Sequence, residues 1–86
     1  MKVAIWDIHA IKKDGGIIHF EIIVPNDIKN VALVYEYYRG FFKTKKLRIK
    51  LSSVEYCIHH REVAASEIIS VIKEKGYYII EKEGCN

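Results

Sequence analysis

A chain of 86 residues, half of them hydrophobic and 29% charged, has the composition of one folded domain with one core and not of a disordered segment. Its longest apolar runs, such as Ile22-Ile23-Val24, fall far short of the ~20 residues a membrane span needs. A net charge of +3 is too weak by itself to imply nucleic acid, and two cysteines, Cys57 and Cys85, are too few for a disulfide framework.

The start, Met1-Lys2-Val3, runs into a strand-like pattern with no apolar stretch and cleavage site after it. The expectation is therefore a cytoplasmic protein with both thiols free. Residues 2–11 and 17–25 read as strands rich in β-branched and aromatic residues. Asp14-Gly15 between them signals a hairpin. A three-residue loop, Asp14-Gly15-Gly16, puts Ala4, Trp6, Ile8 and Ala10 on the same face as Ile18, Phe20, Ile22 and Val24. The opposite face collects Asp7, His9, His19 and Glu21, with Val3, Ile5, Ile17 and Ile23.

Pro25 should end the second strand. Asn26 or Asp27 offers a helix cap, and Ile28, Val31, Ala32, Tyr35 and Tyr38 follow at helical spacing. This places a first helix over 27–39, stopped by Gly40. Leu47, Ile49 and Leu51 alternate with Arg48 and Lys50 as a half-buried strand. Val54, Tyr56 and Ile58 alternate again after Ser52-Ser53, so the two pieces form one bent strand or two short ones. A second helix is expected over 63–75, ended by Gly76, and a last strand over 77–82. The order β-β-α-β-α-β gives an α+β fold in a single domain spanning 1–86: one mixed sheet with an N-terminal hairpin and two helices packed on one face. The last β-α-β unit would cross over right-handed if its strands run parallel.

Three groups of residues bear on chemistry. Tyr56-Cys57-Ile58-His59-His60 carries metal-ligand types, and in a strand Cys57 and His59 point the same way. With His60, and with a further ligand from His19, His9, Asp7 or Cys85, these are the sequence's candidate ligands for zinc or a similar divalent ion; the plain alternative is a solvated strand end with a buried cysteine. The Asp7, His9, His19, Glu21 face sets carboxylates beside imidazoles, fit for acid–base work or a metal, and equally fit for ordinary cross-strand pairs. The apolar residues left on that face call for cover, and a second copy of the chain, forming a homodimer, is one candidate. Finally Arg39, Lys43, Lys45, Lys46, Arg48 and Lys50 crowd one stretch that has no acid from Tyr37 to Val54. Basic side chains beside Tyr37, Tyr38, Phe41 and Phe42 can contact a nucleic acid, or simply form a solvated loop and strand edge. No phosphate-binding loop, dinucleotide glycine fingerprint or serine nucleophile elbow is present.

The opening strand with Asp7, the Lys13-Asp14-Gly15 turn, Gly16 to His19-Phe20-Glu21, and Gly76-Tyr77 followed by Glu83-Gly84-Cys85-Asn86 resemble a bacterial domain-of-unknown-function family, number two thousand and twenty-four. The resemblance runs nearly end to end and implies a compact α+β domain of about this length. It implies no activity. Members often carry Cys-x-x-Cys-His before the second helix; here Tyr56 and His59 stand in the cysteine places, and only His60 matches. Taken together, the sequence reads as a small non-enzymatic binding or interaction module that self-associates, with a metal-binding protein or small metalloenzyme as the alternative and weak nucleic-acid binding as a further one.

Overall fold

The computed structural model describes residues 1–28 and 30–85. β1 (Lys2–Ile11) and β2 (Ile17–Pro25) form the antiparallel hairpin, with Trp6 opposite Ile22, Ile8 opposite Phe20 and Ala10 opposite Ile18. The two apolar sets share a face, as their alternation requires. The turn is centred on Asp14: Lys12 N–H donates to Gly16 O at 2.6 Å, which leaves Lys13, Asp14 and Gly15 as the loop. Each β1 residue thus meets a β2 partner two residues away from the one that a loop of Asp14, Gly15 and Gly16 would set, and facing is preserved because the shift is even.

α1 (Val31–Thr44) starts later and runs further than the sequence suggests. Asn30 is its cap, its side-chain oxygen accepting from Ala32 N–H at 3.0 Å. Asn26 is used elsewhere, accepting from His60 Nδ1–H at 2.6 Å. Gly40 does not stop the helix, because the next turn buries Phe42 and sets Phe41 and Phe42 against Phe20, with ring centroids 4.7 and 5.6 Å apart. Tertiary packing outweighs the ~1 kcal/mol that glycine costs a helix interior.

The expected strand at 47–51 shrinks to a single bridge between Ile49 and Lys12, followed by a 3-10 turn at Leu51–Ser53. Ser53 Oγ accepts from Ile11 N–H at 2.8 Å and donates to Lys50 O at 2.6 Å, turning the chain away before β3 (Glu55–Glu62) pairs with β1. α2 (Ser66–Lys75) ends at Gly76, which adopts the left-handed conformation, and β4 (Tyr78–Glu83) pairs with β2.

The sheet order is β3-β1-β2-β4 and every pairing is antiparallel. This corrects the expected mixed sheet: β3 and β4 lie on opposite edges, so α2 joins them across the whole sheet and no parallel crossover forms. The helices also lie on opposite faces, not on one. Val34 and Phe42 of α1 pack with Ala4, Trp6, Ile8, Phe20 and Ile22, whereas Ile72 of α2 packs with Val3, Ile5 and Ile23. The physical reason is that one end of the hairpin is apolar on both faces. Val3, Ile5 and Ile23 are at most 6% exposed under α2. Their cover comes from the chain itself, whereas Ile17, the fourth apolar residue expected on that face, stays 58% exposed beside the hairpin turn. No helix is long and apolar enough to cross a membrane among the described residues.

Candidate metal centre on the hairpin

α2 covers only one end of its sheet face. Toward the hairpin turn that face turns polar and opens to solvent, and there Asp7 and His9 on β1 meet Glu21 and His19 on β2. Alternation sends residues 7 and 9 to the same side, and antiparallel register sets Asp7 opposite Glu21 and His9 opposite His19. One diagonal is closed by a hydrogen bond from His19 Nε2–H to Asp7 Oδ1. The His9 and His19 rings stack, centroids 4.0 Å apart and planes 12° from parallel.

Asp7, His9 and His19 bring one potential ligand atom each to within 4.8 Å of the others, and among the described residues they form the one such group of three or more. Asp7 and His19 are half-buried, with about a quarter of each side chain exposed, and His9 is exposed. Glu21 turns away to an ion pair with Lys82 Nζ at 3.7 Å.

The β3 candidates are not members of this group, although Cys57 is the cross-strand neighbour of Asp7. Cys57 pairs with Asp7 and His59 with Ile5, so both face the α2 side of the sheet, as their strand spacing implies. His60 pairs with Ala4, faces the other side, and is held by Asn26. Of Cys57, His59, His60 and His19, His19 alone belongs to the group of three. β3 is exposed along its whole length.

The basic segment divides as well. Lys45 is paired with Glu81 at 2.9 Å. Arg39, Lys43 and Arg48 line a cleft beside the C-terminal half of α1, and Lys46 lines an adjoining one. Sequence reading missed that the hairpin turn adds Lys13 to the first cleft, and Lys12 and Lys13 to the second. The run Lys12-Lys13-Asp14 was the signal available; the contact that uses it spans 35 positions of chain from Lys13 to Arg48.

Residues 1–82 match the family described as "Domain of unknown function (DUF2024)", and the chain belongs to that family. No curated protein matches it. Among solved structures it is similar to the NMR structure of protein NE1680 from Nitrosomonas europaea, a structural-genomics target, at 27% identity and a TM-score of 0.73, with 100% of each chain covered.

Proposed function

We propose that this member of the DUF2024 family is a small metal-binding domain that holds a divalent transition ion between Asp7, His9 and His19. The observation that carries the reading is the convergence of two imidazoles and one carboxylate at the open, turn-side end of the sheet face on which α2 packs. That donor set suits zinc, iron(II), nickel or cobalt better than magnesium or calcium, which favour all-oxygen sites. Bonds of ~2.0–2.2 Å set neighbouring ligand atoms roughly 3–3.5 Å apart. The three ligand atoms already lie within 4.8 Å of one another, and His9, an exposed ring stacked on His19, is free to rotate toward an ion. The ion would replace the proton that His19 and Asp7 share. Three protein ligands leave further positions open toward solvent, so the ion would be exchangeable and accessible to water or a small ligand.

The test is elemental analysis and calorimetric titration of untagged protein with zinc(II) and cobalt(II). The expected result is an equimolar ion in the wild type, lost in His9→Ala/His19→Ala and retained in Cys57→Ser/His59→Ala. Loss in the second variant with retention in the first would move the site to β3, and no binding in the wild type would end the metal reading.

A further inference from the structure

A second feature, on the opposite side of the sheet from Asp7 and His9 and independent of them, is the cleft of about 550 Å³ between the C-terminal half of α1, residues 47–51 and the hairpin turn. Lys13, Arg39, Lys43 and Arg48 line it, and Glu36 is the one acid among its lining residues. Its apolar part comes from Phe42, Leu47, Ile49 and Leu51. The arrangement is fixed by backbone. Lys13 N–H donates to Arg48 O at 2.8 Å, and Lys50 N–H to Ile11 O at 2.9 Å, which clamps the 47–50 segment to the hairpin. Arg39 rests over the Tyr35 ring, 5.4 Å from its centroid.

Lys46, on the rim of the adjoining cleft, has φ +57°, a backbone conformation where glycine or asparagine is the usual occupant. Gathering cations from three separate parts of the chain raises their mutual repulsion, which a bound anion relieves. The two arginines offer planar forks that match phosphate oxygens, and the apolar lining suits a ring or hydrocarbon body. A volume of this size suits a small molecule. Phe42 is buried, so the cleft presents no open aromatic platform for a string of bases.

We infer that this cleft binds a small phosphorylated organic molecule, its phosphate held by Arg39, Arg48 and Lys13 and its apolar portion resting on Leu47 and Leu51. The test is a titration of ¹⁵N-labelled protein with phenyl phosphate, inorganic phosphate and phenol at matched ionic strength. Phenyl phosphate should shift the amides of Lys13, Gly40 and Arg48 and bind about tenfold or more tighter than inorganic phosphate, because the ring adds apolar burial. Arg39→Gln/Arg48→Gln should abolish those shifts with the fold intact by NMR, whereas Lys50→Gln, which removes a cation outside the cleft, should not. Equal affinity for phosphate and phenyl phosphate, shifts spread over all the basic residues, or equal loss in Lys50→Gln would overturn the inference. So would a single-stranded oligonucleotide that binds far tighter than phenyl phosphate through Arg39 and Arg48, since the ligand would then be nucleic acid.

Discussion

Gly84 is the residue on which the end of the chain depends. Its φ is +68°, and a Cβ there would lie 2.1 Å from Ile17 O, a backbone atom of β2 that cannot step aside. The close approach lets Cys85 fold under the sheet into the core beneath α1, 4% exposed, with its thiol donating toward His19 O at 3.5 Å and Glu83 O at 3.4 Å. Gly84→Ala should therefore destabilise the protein by about 2 kcal/mol or more, measured by urea unfolding, and should make Cys85 accessible to a thiol reagent. In the wild type Cys57, exposed on β3, should react and Cys85 should stay protected until unfolding. Burial pushes the Cys85 thiol up, and the Glu81 carboxylate adds to the effect. A thiol raised in the folded state keeps its proton longer there than in the unfolded chain. Its contribution to stability is thus whole at neutral pH and falls as pH climbs past the ordinary thiol value of about 8.5. The stability gap between wild type and Cys85→Ala should narrow over that alkaline range. The Glu83-Gly84-Cys85 tail stands out in the sequence as a pattern, yet its role does not, because the contact that explains it reaches back to Ile17.

At the scale of elements, α1 shows which signals are legible locally and which are not. Its apolar spacing reveals a helix, but its ends depend on tertiary partners: Asn30 takes the cap while Asn26 serves His60, and Phe41 and Phe42 carry the helix past Gly40 onto Phe20. Gly40 is exposed, and a Cβ built on it meets nothing within 4 Å. Gly40→Ala should accordingly stabilise the protein by about 1 kcal/mol, seen as a higher urea midpoint with an unchanged slope. The strand reading at 47–51 failed for a related reason. Alternation of Leu47, Ile49 and Leu51 records which side chains face inward, and an extended segment clamped at one bridge satisfies it as well as a full strand. β3 shows the reverse case. Tyr56 and Ile58 alternate as if half-buried, yet are 50% and 40% exposed, because β3 is an edge strand.

Across the whole molecule, the hairpin face at Asp7, His9, His19 and Glu21 was legible because it needs only alternation and one turn. Which of the candidate ligand side chains converge was not, since that depends on the register of three strands. Of the apolar residues on that face that called for cover, Val3, Ile5 and Ile23 receive it from α2, while Ile17 stays exposed near the turn. This division of one face, capped at one end and open at the other, makes metal binding a test of stability. Asp7 and His9 belong to β1 and His19 to β2, so an ion bridging them ties the two central strands together at their turn end. An ion that binds the folded chain alone stabilises it by about 2.7 kcal/mol at a hundred times its Kd. For a domain of this size that is about 10 °C or more in Tm. Thermal unfolding of wild type and His9→Ala/His19→Ala, with and without zinc(II), checks this. The proposal requires the zinc-dependent rise to appear in the wild type and to be absent from the double variant; a rise of equal size in the double variant would mean the ion acts through other groups.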